Sequence, residues 1–154
     1  MAPDTIRPSD ARRRGSGPPL AARPLRLVVD ASVAVPACIA PDGFAALRDH
    51  ELAAPSLLWS ETLAALHQLV WRRELTREDA DAAREALAGA PIELRESATL
   101  LDDAWHIAGE LGWAKTYDAE YVALARVLGC PVLTLDGRLR RSAGRYGVVL
   151  PSEL

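Results

Sequence analysis

The sequence predicts an α/β fold, a three-layer sandwich with helices on both faces of a central parallel sheet. Three observations predict it. Short apolar runs at Leu25–Val29, Leu52–Pro55, Pro91–Leu94, Pro131–Leu135 and Tyr146–Leu150 have the composition and length of strands. Segments of helical periodicity separate them, the pattern of parallel strands joined by crossover helices. The two strongest runs, ending at Val29 and Leu135, each pass directly into an aspartate, Asp30 and Asp136.

The elements follow in order. After Asp30, Ser32 is placed to cap a helix from Val33 to about Ile39, weakened by Pro36. Gly43 to His50 forms a second short helix. Ser56 is a good N-cap for a long helix from Leu57 to about Glu74. Thr76-Arg77-Glu78-Asp79 has the form of a capping start for a helix to about Leu87. Leu100–Leu111 is amphipathic, with Leu101, Ala104, Trp105, Ala108 and Leu111 on one stripe. Asp118 opens a helix to Leu128, ended by Gly129 as the residue past its C-terminus. Leu139 to Gly144 is a last short helix.

Composition narrows the function. A chain of 154 residues suits one domain with a real core. No apolar run reaches the length of a membrane span. Arg12, Arg13 and Arg14 are not followed by an apolar stretch of the secretory kind. Cys38 and Cys130 have no metal-ligand spacing and suit a reducing cytoplasm, as small buried residues. Met1–Pro24 is rich in Pro, Arg, Ser, Gly and Ala, and is expected to be a disordered tail ahead of a domain at 25–154. The tail carries five arginines against two aspartates, whereas the rest holds 13 basic and 19 acidic residues. An acidic core argues against non-specific nucleic-acid binding unless its carboxylates hold a divalent ion, which inverts the local field. The tail could assist such contact, but its composition favours a segment without a role.

Chemistry points to carboxylates. In open α/β sheets ligands bind beyond the carboxyl ends of the strands, so Asp30 and Asp136 share a crevice if their strands are neighbours. Each could instead simply cap a helix. Glu61 places a charge in the apolar stripe of Leu58, Thr62, Ala65 and Leu69, where it needs a partner, a ligand or a proton. Arg72 and Arg73 lie about three turns further on, out of reach. Asp118 suits a helix N-terminus for dipole reasons alone, and Glu120 shares that first turn. Asp102 and Asp103 face away from the Trp105 stripe. His50, His67 and His106 share no spacing, and neither a glycine-rich phosphate loop nor a Ser-His-Asp arrangement is present. Clustered carboxylates without His or Cys make an oxygen-only site suited to Mg²⁺ or Mn²⁺.

Four segments carry a resemblance. They are Val28-Val29-Asp30-Ala31-Ser32, Pro55-Ser56-Leu57-Leu58-Trp59-Ser60-Glu61, Tyr117-Asp118-Ala119-Glu120-Tyr121-Val122-Ala123-Leu124-Ala125, and Leu133-Thr134-Leu135-Asp136-Gly137-Arg138-Leu139. In order and spacing they resemble the PIN-domain family, in particular the VapC-type toxins of prokaryotic toxin–antitoxin pairs. The resemblance implies that Asp30, Glu61, Asp118 and Asp136 form an acidic, catalytic metal site. It gives Thr134 the role of a hydroxyl hydrogen-bonded within the cluster, and Ser32 that of a small polar neighbour. It implies Mg²⁺- or Mn²⁺-dependent endonucleolytic cleavage of RNA, a homodimer, and an antitoxin partner whose tail fills the groove. Val33, Val35, Leu63 and Leu66 are candidates to receive an antitoxin helix, although each singly suits the core. Two positions depart from the family: Ala64 stands where an Asn is usual, and Pro36 interrupts the first helix.

Three other readings compete. A non-catalytic PIN-like protein-binding module is opposed by the presence of all four acids. A PIN nuclease in RNA processing, outside toxin–antitoxin systems, is the second. A receiver domain needs paired acids after the first strand and a late lysine on a strand; Lys115, the only lysine, follows no strand.

Overall fold

Leu27, Val28 and Val29 are fully buried, which is why this short run sits in the middle of a sheet. The computed structural model describes residues 24–146. The expected tail up to residue 23 lies outside those residues, as does the expected strand Tyr146–Leu150 except for Tyr146, which ends a 3₁₀ turn (Gly144–Tyr146). Strand β1 (Arg26–Val29) leads into α1 (Ala31–Ile39), a single 3₁₀ turn at Ala45–Leu47, and β2 (Glu51–Ala54). Helices α2 (Leu57–Trp71) and α3 (Arg77–Ala88) precede β3 (Ile92–Leu94). Then come α4 (Leu100–Leu111), α5 (Tyr117–Leu128), β4 (Val132–Leu133) and α6 (Gly137–Ala143). The strands pair in parallel in the order β3-β2-β1-β4, with Val29 opposite Leu133. The expected sandwich is therefore present.

Packing divides the helices into two groups. Helices α1, α2 and α3 contact one another, while α4 pairs with α5, which lies on β1 and β4. The main core joins the strands to α4 and α5 through Ile107, Val122 and Leu124. A smaller core of Cys38, Leu66, Ala83 and Leu87 lies among α1, α2 and α3. Both cysteines are buried and unpaired. Burial raises the pKa of each thiol, so neither is a reactive thiolate.

Several local expectations change. Asp30, not Ser32, caps α1: its carboxylate accepts from the Val33 amide, and the helix starts at Ala31. Ser32 is released for longer-range bonds. Helix α1 continues through Pro36. The expected Gly43–His50 helix is only the 3₁₀ turn. Ser56 makes no side-chain cap at α2, because its own backbone is already helical. Arg73, in left-handed conformation at φ 62°, stops α2 before Glu74. Thr76 does cap α3: its hydroxyl accepts from the Asp79 amide at 3.0 Å and donates to the Asp79 carboxylate at 2.6 Å. Gly129, at φ 61°, ends α5 as expected.

The buried face of α4 also differs. Leu100, Ala104, Ile107 and Ala108 are buried, whereas Leu101 and Trp105 are 69% and 72% exposed. The two candidate stripes share Ala104, Ala108 and Leu111, and only the position of α5 decides between their flanks. On α2, Leu58, Thr62 and Leu66 are the buried residues, with Ala65 and Leu69 half-buried beside α1.

Candidate active site

Strand β1 is followed by Asp30 and its neighbour β4 by Thr134-Leu135-Asp136. Parallel pairing carries both acids to the same edge of the sheet, as the two strand ends predicted. Asp30 is 5% exposed. Such a carboxylate needs partners, and two hydroxyls supply them. Ser32 Oγ donates to Asp30 Oδ1 at 2.6 Å, and Thr134 Oγ1 donates to Asp30 Oδ2 at 2.5 Å. The same hydroxyls accept from the β4 connection: Ser32 Oγ from the Leu135 amide at 2.8 Å, Thr134 Oγ1 from the Asp136 amide at 3.0 Å. Ser32 and Thr134 thus tie the two strand ends together. Asp136 also caps α6, accepting from the Arg138 amide at 2.7 Å and the Leu139 amide at 3.3 Å. Asp136 therefore caps a helix and also stands at the strand edge beside Asp30, so the first does not exclude the second.

Glu61 finds its partner on α5. Tyr121, 1% exposed, donates its hydroxyl to Glu61 Oε2 at 2.6 Å. Burial first, and the neighbouring Glu61, push the Tyr121 hydroxyl far up, so it stays protonated and donates. Asp118, in the first turn of α5, pairs with the Arg138 guanidinium. That guanidinium also lies over Trp113, 5.7 Å from the ring centre. Tyr121 and Arg138 were not singled out from the sequence. The available signals were slight: Tyr121 follows Asp118 by three on one helix face, and Arg138 puts a cation in a first turn, against the dipole.

The acids repel one another. Burial raises the Asp30 carboxyl above its ordinary range, opposed by Ser32, Thr134 and the Val33 amide, with Asp136 adding to the rise. Burial raises Glu61, opposed by Tyr121, and the charges of Asp118, Asp30 and Glu120 raise it further. Burial also raises Asp118; Arg138 and Lys115 lower it, and Asp136 raises it. Glu120 is raised by burial alone. These couplings connect all four expected acids, with Glu120 joined through Glu61.

The donor set therefore fits a hard divalent ion in chemistry, since it is oxygen-only and carries excess negative charge. In position it is looser. Among the described residues, no three carboxylate, imidazole or thiol groups converge closely enough to enclose one ion directly. Each acid has its own partner: hydroxyls for Asp30, Tyr121 for Glu61, Arg138 for Asp118, the α6 amides for Asp136.

Two grooves lie along α2. One of about 340 Å³ begins at Ala31 and Ser32 and runs between α1 and α2 past Val35 and Leu69 to Arg72. A larger one of about 560 Å³ lies between α2 and α3, and none of the four acids lines it. Of the apolar candidates for partner contact, Val33 is core, Leu66 is core and also lines the larger groove, and Leu63 and Val35 line the larger and the smaller groove respectively.

Residues 27–145 match the sequence profile of the PIN domain. The chain belongs to the PIN-domain family. Among curated PIN-family relatives, the VapC ribonuclease Mb0985 of Mycobacterium bovis is 34% identical over 115 residues, spanning 73% of this chain and 87% of its own. Ribonuclease VapC1 of Mycobacterium tuberculosis is 36% identical over 135 residues, 82% of this chain and 94% of that one. The crystal structure of PAE2754 from Pyrobaculum aerophilum superposes with a TM-score of 0.61 at 28% identity, covering 77% of this chain and 84% of that one.

Membership of the family gives the Tyr121–Glu61 bond a testable role. Tyr121→Phe removes only the hydroxyl that orients Glu61. Supporting partners of this kind are typically worth about 10- to 100-fold in activity or metal affinity. A loss of about tenfold in cleavage rate, with the far-ultraviolet dichroism unchanged, is expected. An unchanged rate would remove Tyr121 from the site.

Proposed function

We propose that this PIN-domain chain is a Mg²⁺- or Mn²⁺-dependent endoribonuclease of the VapC type, the toxin of a toxin–antitoxin pair. One observation carries the reading: Asp30 and Asp136 stand at adjacent parallel strand ends, bridged by Ser32 and Thr134. The ribonuclease names of the relatives agree with it. Asp30 and Asp136 would hold the ion most directly, and Glu61 and Asp118 through water or a second ion. A bound divalent ion supplies an activated water and neutralises charge on the phosphodiester. The chain's own part is positional. Thr134 and Ser32 fix both oxygens of Asp30, and Tyr121 fixes Glu61; Glu61 or Asp118 would orient or deprotonate the attacking water. The substrate is RNA, and the partners are a cognate antitoxin and a second copy of the chain. The reaction is assigned to the cytoplasm, a reducing compartment that suits two unpaired cysteines. No helix among the described residues is long and apolar enough to cross a membrane.

The test is incubation of purified protein with total RNA and Mg²⁺, with new ends mapped by sequencing. Discrete internal cuts, absent in chelator, are expected. Intact RNA at saturating Mg²⁺ and Mn²⁺ would overturn the reading.

The raised carboxyls give a pH dependence without substrate. Asp30, Glu61 and Asp118 hold protons more tightly folded than unfolded. Their favourable contribution is therefore full below the ordinary carboxylate pKa and is lost as pH rises through the raised values. In chelator, the melting temperature is expected to fall across that window. Mg²⁺ at neutral pH should restore it, because the ion binds the ionised acids of the folded state. A metal-free melting temperature that climbs through the window would contradict the electrostatic account.

A further inference from the structure

Arg138 stands where its own helix least favours a cation. It is the second residue of α6, at the positive end of the helix. Its side chain reaches away from α6 to Asp118, 20 residues earlier in the chain, and rests over Trp113. Arg140, one half-turn on, is committed differently, donating to the Thr134 carbonyl at 2.7 Å. Arg138 is thus paired with a carboxylate that a divalent ion would also claim, and its side chain is 59% exposed against 27% for Asp118.

We propose that Arg138 is a phosphate-binding residue held in reserve on Asp118: a divalent ion that takes this carboxylate frees the guanidinium, which turns over Trp113 to a phosphate of the RNA. The inference rests on the metal-dependent cleavage proposed above. Its chemistry is charge balance. A polyanion approaching Asp30, Glu61, Asp118, Glu120 and Asp136 needs more than one cation, and Arg138 and Lys115 are the cations that Asp118 feels. A guanidinium suits the task because its planar fork matches two phosphate oxygens, and because it keeps its charge at every working pH. Trp113 limits where the released group can go, since cation–π contact holds it beside the crevice.

Two measurements on Arg138→Ala test this, one without RNA. Mn²⁺ binding to RNA-free protein, followed by electron paramagnetic resonance, is expected to tighten about threefold, the scale of a lost exposed ion pair. KM for RNA is expected to rise about tenfold, the scale of one charge-assisted hydrogen bond. The salt dependence of RNA binding should also lose about one phosphate contact. Arg138→Lys, which keeps the charge and loses the fork, should restore wild-type Mn²⁺ affinity and only part of the KM. Weaker or unchanged Mn²⁺ binding in Arg138→Ala would mean that Arg138 only orients Asp118, and would overturn the proposal. An unchanged KM or salt dependence would overturn it too. A wild-type protein that neither binds Mn²⁺ nor cuts RNA would instead remove the functional reading beneath it.

Discussion

Asp30→Asn is expected to abolish RNA cleavage, by about 1,000-fold or more, while leaving the metal-free fold as stable as before. The activity loss follows from its place. Asp30 is the most buried of the acids and the one that both bridging hydroxyls hold. Removing its charge removes several kcal/mol of the ion's contribution to the transition state, and each 1.36 kcal/mol is tenfold in rate. The stability expectation follows from electrostatics. Burial already disfavours the ionised form of Asp30. Asn keeps a carbonyl oxygen to accept from the Val33 amide, and the Ser32 and Thr134 hydroxyls can rotate to meet its amide group. Cleavage assays and thermal melts in chelator check both halves. Retained cleavage would remove Asp30 from the chemistry; a collapsed melting temperature would make its role structural.

The largest stability effect is expected at Ile107→Ala, a loss of about 2–5 kcal/mol. Ile107 is 1% exposed, between α4 and the main core, and truncation leaves a cavity there. Trp105→Ala, two residues away, is expected to stay within about 0.5 kcal/mol, although it deletes a far larger side chain. The contrast checks the rotation of α4 directly. Chemical denaturation of both variants measures it, and a larger loss for Trp105 would reverse the assigned face.

That contrast also marks how far the sequence could be read. Strand ends were legible because an apolar β-branched run followed by an acid is distinctive in itself, as at Val28-Val29-Asp30. The misplaced charge of Glu61 was legible for the same reason: it breaks a pattern. The rotation of α4 was not, because Leu100 and Leu101 are adjacent and equally apolar. The shared Ala104, Ala108 and Leu111 fit either face, and packing against α5 makes the choice. Ser32 shows a different limit. Its residue type suited a cap, but Asp30 took that bond, and the hydroxyl found partners 102 and 103 residues away. Tyr121 carries no mark in the sequence, because the Glu61 its hydroxyl meets is 60 residues away. Arg138 carries none either, because its partner Asp118 lies 20 residues away on another helix. Local pattern exposes residues that violate their surroundings; it does not expose residues whose partners are remote.

The central claim is that the acids at these strand ends serve a divalent ion. Titration of metal-free protein with Mn²⁺, in the wild type and in Asp30→Asn and Asp136→Asn, tests it most directly. Asp136→Asn keeps an oxygen able to cap α6, so folding is preserved while a charged ligand is lost. The account predicts saturable binding in the wild type and a loss of at least about tenfold in affinity in each variant. Equal Mn²⁺ affinity in all three proteins would contradict it.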